Sequence, residues 1–272
     1  MTDVPADVPT VAAPRVELSA FTETDIPAVA DILAEPEVCR TITANASTPE
    51  RCRETATRRI GRHNSAWTTL GYGVWAVRSR SAAIAEPGTV IGWCGFAEPD
   101  IGDAPVILYG LAPAYWGHGI TLEAARAATD WLFSETAEPG VSAIIFGRLN
   151  PAPVVVSKKL GMTRRGTMGM ADFFSSRDLA RDVIDYEIWR LRHGMSSDLE
   201  ALAFQAPFKG GQISTLGVVD PAETERAFCE AALERPDYAA IDRSSLTERV
   251  RDAYRQGMVE PDLDWYHMAR PA

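Results

Sequence analysis

Apolar positions along this 272-residue chain switch between two periods. Val16, Leu18 and Ala20 alternate with charged or polar residues, which predicts a half-buried strand over 15–21. Thr24 then offers a helix N-cap, Pro27 suits the first turn, and Ile26, Val29, Ala30, Ile32 and Leu33 recur at helical spacing until Pro36. A second helix is expected from Pro49 to Arg62, capped by Thr48. Three apolar runs follow, at 72–78, 89–96 and 105–111, separated by Pro87-Gly88 and Gly102-Asp103. Their spacing predicts an antiparallel meander. Past Ala112-Pro113 the period returns to helical, with Leu122, Ala125, Ala128, Trp131 and Leu132 on one face to about Ser134. A β-rich run at 141–148, a short helix at 153–160 ended by Gly161, and a closing pair of strands at 162–170 and 183–189 complete the pattern.

Beyond Gly194 the pattern changes. Asp220-Pro-Ala-Glu223 and Ser245-Leu-Thr-Glu248 read as capping boxes, each opening a helix, to about Glu234 and to Gly257. The glycine-rich stretch 204–219 is ambiguous, and Trp265 and Tyr266 near the terminus are expected to dock on something. The expected organisation is a disordered Pro/Ala/Asp-rich leader (1–14), a main domain (15–195) and a mainly helical C-terminal extension (196–272).

Charge sharpens that division. The formal net charge is −10, yet residues 15–195 hold 21 acids and 19 bases, whereas 196–272 hold 14 acids and 8 bases. The acidity therefore belongs to the tail and says little about the main domain's substrate. It argues against direct nucleic-acid binding, which needs a basic face. Five arginines on the second helix (51, 53, 58, 59 and 62) read either as an anion-binding face or as a solvated face paired with Glu50 and Glu54. Cys39, Cys52, Cys94 and Cys229 form no C-x-x-C pair and no zinc-ligand spacing. They read as small buried hydrophobes, no metal site is expected, and no run is long and apolar enough for a membrane span. With no signal-peptide pattern at the start, a cytoplasmic location is expected.

The informative stretch joins the third meander strand to the next helix: Pro113-Ala-Tyr115-Trp116-Gly117-His118-Gly119-Ile120-Thr121-Leu-Glu123-Ala124. A glycine-bearing turn that opens a helix aims several backbone N–H groups at one point. The helix dipole adds roughly half a positive charge there. Such a turn suits a pyrophosphate. The nucleotide motifs G-x-x-x-x-G-K-[ST] and G-x-G-x-x-G after a first strand are missing.

This stretch resembles the GNAT superfamily of acyl-CoA-dependent N-acetyltransferases, and within it the RimJ/RimL-like branch, which reads P-x-Y-W-G-x-G-x-x-x-E-A. A second block, Asn150 then Lys159-Leu160-Gly161-Met162, sits at the family's spacing. A third, 182–189, is similar to the branch's last strand. The resemblance covers residues 15–192 and implies an α+β fold: a central mixed, mostly antiparallel sheet of about six to seven strands flanked by four helices. It implies acetyl-CoA as co-substrate, with no metal. Backbone amides of Trp116, Gly117, His118, Gly119, Ile120 and Thr121 would hold the pyrophosphate, and His118 would add charge if protonated. Leu111 and Ala112 would pair with the pantetheine arm, and Asn150 would bond it. Lys159, with Lys158, Arg164 and Arg165, would meet the ribose 3′-phosphate.

Several positions depart from the family pattern. Thr121 replaces the final small residue of the cradle, and Pro153 replaces a serine. Ser157 stands where a tyrosine is common as proton donor to the leaving thiolate, and Val106 where a carboxylate is common. Ser157 as thiolate partner and Tyr109 as a substrate-site group are the expected catalytic residues. Glu98, Asp100 and Asp103 remain as alternative bases acting through water. Without the carboxylate, a low-pKa amine is favoured, because an α-amine at ~7.7–8.0 is partly neutral already. The expected function is acetyl transfer to a primary amine, either a protein N-terminus or a small molecule. The alternative is an acyl-CoA-binding sensor with little or no catalysis. A homodimer is left open.

Overall fold

The structure is a computed structural model. It describes residues 7–35, 37–38, 49–98, 104–145, 151–169, 177–193, 199–259 and 262–271. They divide between two compact units, one holding residues up to 166 together with 264–271, the other holding 167–263.

The first unit is built on the meander. Strands β1 (Val11–Ala12), β2 (Val16–Ser19), β3 (Val74–Ser79), β4 (Val90–Ala97) and β5 (Val106–Leu111) pair antiparallel in succession. β6 (Gly140–Ile145) joins β5 in parallel, and β8 (Asp262–Ala269) pairs antiparallel with β6. With β7 (Thr163–Gly169), the eight-stranded sheet runs β1-β2-β3-β4-β5-β6-β8-β7, one strand more than the expected range. Helices α1 (Ile26–Ala34) and α2 (Pro49–Leu70) precede β3, α3 (Ile120–Glu135) links β5 to β6, and α4 (Ala152–Leu160) precedes β7. The core on the α3 face joins Trp75, Cys94, Phe96, Ile107 and Leu111 to Ile120, Ala124, Ala128 and Leu132. Trp67, Trp75 and Trp131 meet edge to face there, with centroids 4.5–5.4 Å apart.

The second unit is helical: α5 (Arg177–His193), α6 (Leu199–Ser214), α7 (Pro221–Glu234) and α8 (Arg243–Val259). Its core gathers Leu191, Leu202, Ala206, Phe228, Val250 and Tyr254. Glu187 is fully buried between Lys209 Nζ and Arg190, each 2.7 Å from one carboxylate oxygen.

Five expectations meet a different structure. Residues 183–189 are helix, not strand. Val183, Ile184, Ile188 and Leu191 fall on one helical face and are buried or half-buried. A strand beside β6 comes instead from Asp262–Ala269, within the stretch read as a helical extension; its Tyr266 is buried in the sheet's core. The described part of the leader is ordered: β1 pairs with β2, and Trp75 Nε1 donates to Pro9 O at 2.7 Å. The ambiguous stretch is largely α6. Its Gly211 lies against α8 so closely that a Cβ would be 2.0 Å from Tyr254 O. Gly257 likewise abuts α6 and does not end α8, which Asp242 caps by accepting from Ser245 N. The Asp220 cap stands as read, accepting from Glu223 N at 2.7 Å.

Candidate active site

The β5–β6 pair positions the site. Among the described residues these parallel strands share one register pair, Val106↔Ser142, although both continue for several residues. Beyond that pair they diverge and open a wedge. Ala112 N donates to Ile91 O on the β4 side, so by alternation the backbone groups of Tyr109 and Leu111 point into the wedge. Leu111 O accepts from Trp116 Nε1 at 2.8 Å, which pins the following loop to the strand end. Of the two residues expected to meet a pantetheine arm, Leu111 therefore has its N–H directed there. The N–H of Ala112 is committed to β4.

The cradle follows directly. Gly117 (φ +78°) and Gly119 (φ +75°) both take the left-handed conformation that favours glycine, and Gly119 is the N-cap of α3. A Cβ on Gly117 would meet no atom within 4 Å. Ile120 is buried and anchors the helix start. Trp116 and His118 are exposed, and Thr121 is half-buried. The conformation is held from behind by a pair that the sequence reading did not assign. Arg15 N and Nε donate to the two Glu123 oxygens at 2.6 and 2.7 Å, and Arg15 NH1 donates to His118 O at 3.0 Å. The expected Trp116 donor is committed elsewhere, its N–H donating to Pro113 O at 3.0 Å, so the N–H groups from Gly117 to Thr121 are the ones left for a ligand. The motif's Glu123 carried the signal, but its partner lies 108 residues away.

On the α4 side of the wedge, Tyr109 and Ser157 come together. Tyr109 Oη lies 3.4 Å from Pro153 O, to which it donates. Burial above all, and Cys94 beside it, push the phenol above its ordinary range, while the adjacent Ser157 hydroxyl opposes this. Ser157 is fully buried on α4, and among the described residues its Oγ has no well-formed hydrogen bond. Cys94 is buried too, its thiol pushed up to about 12. Val106, where a carboxylate was sought, is buried and apolar. Lys158, Lys159, Arg164 and Arg165 are exposed around the end of α4 and the start of β7, and Arg126 NH2 donates to Lys159 O at 2.9 Å. Asn150, Asp100 and Asp103 lie outside the described residues.

The wedge and cradle fit a CoA-type group. Strand-end backbone donors, a turn with two left-handed glycines at a helix N-terminus and a buried hydroxyl without a well-formed acceptor are the kinds of groups that such a molecule requires.

Residues 15–163 match the acetyltransferase (GNAT) domain family. Uncharacterized protein YkkB of Bacillus subtilis is 34% identical over 96 residues, which are 34% of this chain and 52% of that one. The chain thus spans about half the length of this curated relative. Similar solved structures include an acetyltransferase from Agrobacterium tumefaciens (20% identity, 62% of this chain and 90% of that one, TM-score 0.49). RimL, the ribosomal L7/L12 alpha-N-protein acetyltransferase in complex with coenzyme A, is another (18% identity, 60% and 89% covered, TM-score 0.48). The chain belongs to the GNAT acetyltransferase family.

Proposed function

We propose that the protein is an acetyl-CoA-dependent N-acetyltransferase acting on a primary amine. The observation that carries this reading is the juxtaposition of the β5–β6 wedge, the Gly117/Gly119 cradle, and the Tyr109 and Ser157 hydroxyls at the wedge's side. Acetyl-CoA supplies an already activated acyl group, so positioning contributes much of the rate. The cradle N–H groups and the α3 dipole hold the pyrophosphate. Leu111 N–H, pointing into the wedge, orients the arm. The neutral amine forms a bond to the acetyl carbon as the carbon–sulfur bond breaks, and the amine's surplus proton passes to water. Tyr109, held protonated by burial, and Ser157 supply hydrogen bonds and a proton to the departing sulfur. Buried Val106 offers no base, which suits an amine that is already partly neutral near pH 8.

The same Val106 supports the second reading, a CoA-binding sensor without turnover. Calorimetric titration with CoA, followed by thiol release from acetyl-CoA across an amine panel, separates the two. Saturable binding with amine-dependent thiol release supports the enzyme. Binding without release supports the sensor. No binding rejects both.

A further inference from the structure

Tyr109 and Gly110 are consecutive in β5 and so face opposite sides of the sheet. Tyr109 faces α4 and Ser157. On the other side, Gly110 is paired in register with Trp93 of β4, and a Cβ on Gly110 would lie 2.5 Å from Trp93 Cζ2. The indole thus covers Gly110 of β5 at the level of the wedge. Over that indole, 5.7 Å from the ring centroid, stands the guanidinium of Arg59 on α2.

Arg59 is an unusual cation. It is half-buried, and no carboxylate among the described residues pairs with it. Its charged neighbours, Arg62 and Arg58, have the same sign, and burial together with these two lowers its pKa to about 10. His63, on the same helix, gives no counter-charge: it is buried, stacked on Phe21, and held neutral with a pKa of about 3. Two arginines elsewhere in this unit do have carboxylate partners. Arg78 NH2 meets Asp25 at 2.7 Å, and Arg15 meets Glu123. A desolvated guanidinium surrounded by like charge is costly unless an anion arrives to meet it. Held over an indole, its planar fork of N–H donors matches the geometry of a carboxylate.

We infer that Arg59, presented on Trp93 at the face of β5 opposite Tyr109 and Ser157, binds a carboxylate carried by the amine acceptor. The substrates are then primary amines bearing a negative charge, with short peptides that carry a free carboxylate, and so keep a low-pKa α-amine, as the simplest members. The inference rests on the acetyltransferase reading, because it places the acceptor on the face of the wedge opposite the thiolate's proton donors. It also gives the arginine-bearing helix its role: one arginine faces the substrate, and Arg53, Arg58 and Arg62 are exposed.

The test uses the full chain and matched acceptors, dipeptides against their C-terminal amides, whose α-amines have similar pKa values, with a phosphate-bearing amine as a third arm. Initial rates give the acid-to-amide ratio of kcat/KM for the wild type, Arg59→Lys and Arg59→Gln. A charge-assisted pair predicts a ratio of about tenfold or more. It should collapse toward unity in Arg59→Gln and persist in part in Arg59→Lys. CoA titration of each variant checks that the cofactor half is folded. A wild-type ratio near unity, or a ratio unchanged in Arg59→Gln, overturns the inference, and preference for the phosphate-bearing amine overturns the choice of carboxylate. If no amine turns over, the acetyltransferase reading has failed, and calorimetric titration with the same acid and amide pairs decides the Arg59 site separately. Selective acid binding lost in Arg59→Gln sustains it; equal or absent binding sinks it.

Discussion

Gly117→Ala isolates the cradle's function from its strain. Gly117 sits at φ +78°, where a Cβ costs about 1–2 kcal/mol. Without ligand that Cβ meets no protein atom within 4 Å, so backbone strain is the whole penalty in the free protein. Gly88, in the turn before β4, is a matched control: φ +91° and likewise no atom within 4 Å of a Cβ. The two alanine variants should lose similar stability in urea unfolding. They should differ in cofactor binding. If the open space at Gly117 is where the pyrophosphate approaches the backbone, its methyl displaces at least one charge-assisted N–H contact, worth about 1.5–3 kcal/mol. The CoA dissociation constant should therefore rise about tenfold to a hundredfold by calorimetry. Gly88→Ala should leave it unchanged. Equal CoA affinities in the two variants would show that the turn is an ordinary strand-to-helix connection.

Tyr109→Phe and Ser157→Ala should each lower kcat by about tenfold to a hundredfold with little change in CoA affinity. A loss confined to CoA affinity would reassign both hydroxyls to binding. Because burial raises the Tyr109 phenol, the pH–rate profile should show no falling limb from it below about pH 10. His63 contributes acid sensitivity. Its folded pKa of about 3 lies below the unfolded value near 6.5, so its stabilisation is complete above 6.5 and is lost as pH falls toward 3, by about 4 kcal/mol at the end. His63→Phe should flatten urea-unfolding stability over that window, and an unchanged pH dependence would refute the assignment. Removing residues 262–272 withdraws six registered pairs with β6 and the buried Tyr266, whose burial alone is worth about 2–3 kcal/mol. The sheet-bearing unit should then lose its cooperative near-ultraviolet melt; an unaltered melt would show β8 to be dispensable.

What the sequence made legible was local. Gly117 and Gly119 announce a turn that needs positive φ, and the flanking strand and helix follow from short-range periodicity. Asp220 declares its cap within three residues. What stayed hidden depends on distant partners. The Arg15–Glu123 pair spans 108 residues, so the support behind the cradle had no local signature. β8 pairs with a strand more than a hundred positions earlier, and Trp265 and Tyr266 showed only that something must cover them. Gly210 and Gly211 left their stretch ambiguous because composition cannot distinguish flexibility from a close helix crossing. Arg59 looked like its four neighbouring arginines until Trp93 and Gly110 were placed beneath it.

The central claim is that the wedge and cradle carry out acetyl transfer to an amine. Its most direct test mixes the full chain with acetyl-CoA, with and without a carboxylate-bearing primary amine, and follows free thiol together with the acceptor's mass. The account predicts thiol release that depends on both protein and amine, matched mole for mole by acetamide product. Release that does not depend on the amine, or acetyl-CoA left intact with every amine offered, would contradict it.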